Sequence, residues 1–135
     1  MLGIILISHG DMADGMLNSA GMFFGETGLE QVTTVSLYPA DSPEDFDVKL
    51  ADAIKKVDTG EGVVILADLL GGTPCNRSAY VCAENVQVIT GMNLPILMEL
   101  LGLRMGGEVD LNNLISVARD GIVSLNELLG GISDD

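Results

Sequence analysis

The 135-residue chain contains a single histidine, His9, which follows the apolar run LGIILIS at residues 2–8. A second apolar run, GVVILAD at 62–68, closes on Asp68. If these two runs are neighbouring strands, imidazole and carboxylate meet beyond their ends. A carboxylate that accepts the Nδ1–H fixes the neutral tautomer and turns the Nε2 lone pair outward as a nucleophile. It also stabilises the cation that forms when Nε2 attacks. The plainer alternative is that Asp68 caps the next turn and His9 satisfies a backbone carbonyl. The pattern of types leaves both open.

The segment after Asp68, LLGGTPCN at 69–76, bears on that choice. Gly71 and Gly72 permit close backbone approach and positive φ. Thr73 and Pro74 open a helix whose free N–H groups point back toward the site, an arrangement suited to a phosphoryl group. Thr73 and Asn76 offer further side-chain donors. The competing reading is an ordinary Gly-rich turn. The segment is neither a Walker P-loop nor a GxGxxG fingerprint, so nucleotide binding is not indicated. Enzymes that hydrolyse or shuffle phosphate esters employ arginine clamps. Here only Arg77 lies near the cradle in sequence, no Arg precedes His9, and no second histidine can act as acid or base. Nucleophile, orienting carboxylate and cradle therefore describe reversible phosphorylation of His9, with one docking partner supplying the group and another removing it. A phosphatase or mutase using His9, and a binding module with no covalent step, are the other readings.

The elements that must hold these residues follow from periodicity. Four β-rich runs, 2–8, 31–37, 62–68 and 85–91, alternate with helical patterns. The first and third are continuously apolar, as central strands of a doubly covered parallel sheet should be, whereas QVTTVSL alternates as an edge strand does. Ala13, Met16, Leu17, Ala20 and Phe23 mark one face of a first helix. Ser42-Pro43-Glu44-Asp45 caps a second that carries Phe46, Leu50, Ile54 and Val57. Thr73-Pro74 starts a third and LPILMELLGL a fourth. Asp110 caps a fifth, with Leu111, Leu114, Ile115 and Ala118. IVSLN at 122–126 reads either as helix or as a short last strand, and the tail Ser133-Asp134-Asp135 as frayed. The expectation is one α/β domain over 1–135, a three-layer sandwich around a mainly parallel sheet. In such sheets ligands bind where connections leave two adjacent strands in opposite directions, which is where His9 and Asp68 fall if their strands are neighbours.

The totals narrow the function classes. Twenty acidic against six basic residues give a net charge of −14, which repels nucleic acid and anionic lipid and favours a basic protein partner. Cys75 and Cys82, if on one helix, stand roughly 10 Å apart, too far for a disulfide. No Cys/His cluster suggests a metal, and no cofactor is indicated. Unpaired thiols, the lack of a signal-peptide pattern and the lack of a ~20-residue apolar run set the expectation of a cytoplasmic protein.

LISHGDMA, ILADLLGGTPCN and VITGMNLPILMELL closely resemble the mannose-family enzyme IIA of the bacterial phosphoenolpyruvate-dependent sugar phosphotransferase system, from residue 2 to about 103. The resemblance implies a cytoplasmic homodimer with strand order 2-1-3-4 and a short antiparallel C-terminal strand exchanged between subunits, a role that IVSLN would fill. It places the phosphorylated histidine on His9 and its partner aspartate on Asp68. The loop of Gly71, Gly72, Thr73 and Asn76 takes the phosphate-binding position, and Ser8, Gly10 and Asn93 belong to the pocket. The phosphocarrier HPr would donate and a IIB component on a separate chain would accept, serving membrane IIC/IID components indirectly. Leu69-Leu70 depart from the family, where a hydroxyl residue and an aromatic often follow the aspartate. Related domains also act as phosphoryl donors to dihydroxyacetone kinases.

Overall fold

A computed structural model describes residues 1–133, so Asp134 and Asp135 of the acidic tail lie outside the described residues. Four parallel strands form one sheet: β1 (Gly3–His9), β2 (Val32–Leu37), β3 (Val63–Ala67) and β4 (Val86–Ile89), in spatial order β2-β1-β3-β4. The two continuously apolar strands occupy the centre, and QVTTVSL supplies an edge. Their register pairs Ile4 with Val32 on one side and with Val64 on the other.

Alternation along β1 splits the core in two. Ile4 and Leu6 face α1 (Met12–Phe24), α4 (Leu94–Met105) and α5 (Leu111–Asp120), packing with Ala20, Leu97, Leu100 and Leu114. Ile5 and Ile7 face α2 (Pro43–Val57), packing with Phe46, Leu50, Val57 and Ile65, and α3 (Thr73–Ser78) lies against the same side, with Cys75 packed on that cluster. The result is the three-layer sandwich expected. A last helix, α6 (Leu125–Ser133), follows α5.

Helix starts follow local chemistry. Ser42 accepts from Asp45 N and the Asp45 carboxylate accepts from Ser42 N, a reciprocal box with Pro43 in the first turn. Asp110 accepts from Asn112 N and Asn113 N. Arg104, only 6% exposed, donates to the carbonyls of Leu2, Gly28 and Glu30. Burial lowers its pKa, yet the charge is kept because three otherwise unpaired acceptors surround it.

One expectation is corrected, and two open points are decided by the structure. Phe23 is 68% exposed, and Phe24 packs on the core instead. From Ala20 a step of four residues stays nearer the buried stripe than a step of three. Of the two readings of 122–126, the helical one holds from Leu125, where α6 opens, and residues 122–124 carry no regular structure. A strand requires a partner edge for its N–H and C=O groups, and 122–124 have none among the described residues. Cys82 lies beyond α3, which ends at Ser78, and both thiols are free.

Candidate functional site

The sheet order makes β1 and β3 neighbours whose connections leave toward opposite faces. The chain after β1 enters α1 on one side and the chain after β3 enters α3 on the other, so a crevice opens at their carboxyl ends. His9 is the last residue of β1 and Asp68 the first after β3. Asp68 N still donates to Ile7 O at 3.1 Å, extending the ladder by one step. There the carboxylate takes over from the backbone. Its Oδ2 accepts His9 N at 2.9 Å and stands 2.7 Å from His9 Nδ1, while Oδ1 accepts Leu69 N at 2.9 Å. Main chain and ring of His9 are thus fixed by one oxygen, and Nδ1 is the nitrogen that bears the proton. Nε2 has no hydrogen-bond partner among the described residues.

Exposure divides the pair. The His9 side chain is 47% exposed and that of Asp68 only 5%. Burial pushes the Asp68 carboxyl up, but hydrogen bonds from His9 N, the His9 ring and Leu69 N outweigh it, holding the pKa below the usual carboxylate value. The sign follows by linkage. A carboxyl lowered in the folded state stabilises the fold above its unfolded pKa of about 3.9, and that contribution is lost as pH falls through the folded pKa. Asp68→Asn is therefore expected to be less stable than wild type at pH 7, with the gap closing as pH drops below about 4. Urea unfolding at both ends of that range reads it. An unchanging gap would mean that Asp68 gains nothing from its charge.

The two glycines of the loop do different jobs. Gly71 has φ +89° and open space around its Cα, so it is needed for conformation. Gly72 has ordinary extended angles (φ −79°, ψ 163°), but a Cβ there would lie 2.6 Å from His9 Cε1 and 3.3 Å from Nε2. It is needed for space. Close approach puts the loop backbone against the imidazole, and the N–H groups of Gly71, Thr73 and Cys75 have no protein acceptor among the described residues. The loop is clasped by Asn76, whose N–H donates to Gly72 O at 2.8 Å and whose amide donates to Gly71 O at 3.1 Å.

The remaining expected residues fall elsewhere or act indirectly. Gly10, at φ +55°, turns the chain out of β1 and donates to Leu37 O at 2.9 Å. Ser8 does not share a face with the His9 ring. Alternation sends its side chain to the opposite face from His9, where it is fully buried and its Oγ accepts Ala13 N at 2.8 Å at the start of α1. Asn93 is engaged between two helices: its Oδ1 caps α4 by accepting Ile96 N, and its amide donates to Ala118 O on α5. It lines a separate cleft of about 400 Å³ beside β4. The Asn76 amide holds the loop rather than standing ready as an open donor. Arg77, the one cation near the cradle in sequence, forms a two-pronged ion pair with Asp47.

Sequence reading did not single out Tyr38. Its hydroxyl donates to Asp11 Oδ1 at 2.7 Å, tying the end of β2 to the turn that follows His9. No short-range pattern could have signalled a contact across 27 positions.

Comparison with known proteins places the chain in a family. The family model EIIA-man, described as "PTS system fructose IIA component", matches residues 3–115. The fructose-specific EIIA component of Bacillus subtilis is 34% identical over 106 residues, covering 77% of this chain and 71% of that protein. The mannose-specific EIIAB component of Escherichia coli is 31% identical over 130 residues, 92% of this chain but 39% of that longer protein. Among solved structures, the PTS IIA protein associated with the fucose utilization operon of Streptococcus pneumoniae superposes with a TM-score of 0.86 at 30% identity, covering 95% of this chain and 96% of that one.

Proposed function

The chain belongs to the EIIA-man family of phosphotransferase-system components, and within that family's work of sugar phosphotransfer we propose that His9 is the residue that carries the phosphoryl group. Phospho-HPr donates it and a IIB component receives it, on the way to sugar taken up through membrane IIC/IID components. The observation that carries this reading is the 2.7 Å contact of His9 Nδ1 with a nearly buried carboxylate, which leaves Nε2 as the exposed nucleophile.

The step balances simply. The Nε2 lone pair forms a bond to phosphorus as the P–N bond of the donor phosphohistidine breaks, and the donor nitrogen recovers the electron pair. The Nδ1 proton stays on His9, against Asp68, whose negative charge offsets the charge developing on the ring. The N–H groups of Gly71, Thr73 and Cys75, with no protein acceptor among the described residues, are free to receive phosphoryl oxygens. Asp68→Asn keeps the shape but removes that charge, so transfer is expected to slow about tenfold, a loss of one charge-assisted hydrogen bond's advantage. Quench-flow transfer from phospho-HPr measures it, and an unchanged rate would reject the role.

The site is a rim rather than an enclosed pocket, which suits a protein-sized partner. Leu69 and Leu70, 50% and 78% exposed, flank it. The surrounding acidic chain favours a basic partner face. We also propose that the protein works as a cytoplasmic homodimer. Support comes from Ile122, Val123, Leu125, Leu128 and Leu129, a run of exposed apolar side chains on one short segment.

Incubation with phosphoenolpyruvate, enzyme I and HPr, followed by intact mass, tests the proposal. An acid-labile, alkali-stable gain of one phosphate is expected. Steady turnover of a generic phosphate ester without such a gain would favour a hydrolase and overturn it.

A further inference from the structure

The helix that brings the glycine loop to His9 is too short to hold itself in place. α3 spans six residues, Thr73–Ser78, and a helix of that length satisfies few of its own N–H and C=O groups. Its orientation must come from tertiary contacts. One of these is directional and charged: Arg77 Nε donates to Asp47 Oδ1 at 2.9 Å, and a second guanidinium nitrogen donates to Oδ2. This is the only ion pair joining α3 to α2 among the described residues. A two-pronged arginine–carboxylate pair fixes angle as well as distance. The Tyr80 ring lies 4.9 Å from the guanidinium carbon, further limiting how Arg77 can swing. Asp47 itself rides on α2, anchored by its capping box and by buried Phe46 and Leu50.

At the other end of α3 there is no slack. The backbone of Gly72 lies so close to His9 that even a methyl group does not fit. We infer that the Arg77–Asp47 fork is a positioning device for the reaction, setting the Gly71–Gly72 backbone against the His9 ring through α3. Arg77 acts through α3 and does not itself contact the imidazole's phosphoryl group. The inference rests on the phosphocarrier reading for its consequence in rate, but its geometric half stands apart from that reading.

The test uses both halves. His9 is the only histidine, so its Cε1–H resonance identifies itself. Phosphoramidate serves as a small donor that needs no docking surface: its P–N bond breaks, ammonia leaves and the Nε2–P bond forms. Arg77→Lys, which keeps the charge but not the fork, and Asp47→Asn are each expected to shift the His9 Cε1–H resonance and slow phosphorylation about tenfold. The double variant is expected to be no slower than either single one, because both remove the same link. Glu61→Gln, which breaks the ion pair with the Met1 amino group at the amino ends of β1 and β3, should leave resonance and rate unchanged whatever it does to melting temperature. An unmoved resonance and rate in Arg77→Lys, or strictly multiplicative effects in the double variant, would overturn the inference. Should Arg77→Lys fail to fold, the isosteric Asp47→Asn carries the same readouts. Failure of wild type to take phosphate from phosphoramidate and from phospho-HPr alike would defeat the phosphocarrier reading, and the ring resonance would still decide whether the fork positions the loop.

Discussion

His9→Gln is expected to yield a folded protein that takes up no phosphate. Position 9 ends a strand, its side chain is about half exposed, and the backbone N–H to Asp68 Oδ2 survives the change. A glutamine amide keeps polar bulk on the rim but has no basic lone pair to attack phosphorus. Intact mass after exposure to the phosphoenolpyruvate, enzyme I and HPr mixture should therefore show the starting mass only, while the melting temperature stays within a few degrees of wild type. A phosphate gain in the variant equal to that of wild type would move the chemistry to another residue, and the pairing with Asp68 would lose its significance.

Gly72→Ala is expected to slow transfer about a hundredfold while leaving the fold intact. The backbone angles of Gly72 suit any residue, so the substitution introduces no intrinsic strain. The new methyl would sit 2.6 Å from His9 Cε1, where ordinary contact between carbons requires about 3.5–4 Å. Something must yield by roughly 1 Å: either the ring leaves its 2.7 Å contact with Asp68 or the loop withdraws its N–H groups. A misplacement of that size costs a reaction up to about 10²-fold. Gly71→Ala is the internal contrast. That position has φ +89° but empty space around it, so the cost falls on stability, about 1 kcal/mol, with the His9 geometry unchanged. Transfer kinetics and thermal melts of the two variants separate the effects, and a Gly72→Ala protein transferring at the wild-type rate would show that loop and ring move independently.

The fold could be read because its signals are local and redundant. Residues 2–7 and 62–67 are apolar without a break, as strands covered on both faces are, and both lie at the centre of the sheet. Ser42-Pro43 and Asp110 marked helix starts because capping acts over three residues. Where a decision hung on a neighbour far along the chain, short-range patterns could not make it. IVSLN has strand-like composition but no edge to pair with in the single chain. Ser8 stands beside His9 in sequence yet caps α1, because alternation turns adjacent side chains to opposite faces. Asn93 follows the loop after β4, but the helix it begins needed its carbonyl oxygen first.

The residue types that could do chemistry were fixed by the sequence alone: one imidazole, an aspartate after an apolar run, and paired glycines before a proline-led helix. Tertiary structure alone decided that Oδ2 of Asp68 serves both the backbone and the ring of His9, that Gly72 is wanted for space and Gly71 for conformation, and that Arg77 is bound to Asp47. Periodicity and capping act over a few residues and can be read along the chain. Contacts across 30 or 59 positions depend on which strands and helices become neighbours, and no short stretch of sequence contains that information.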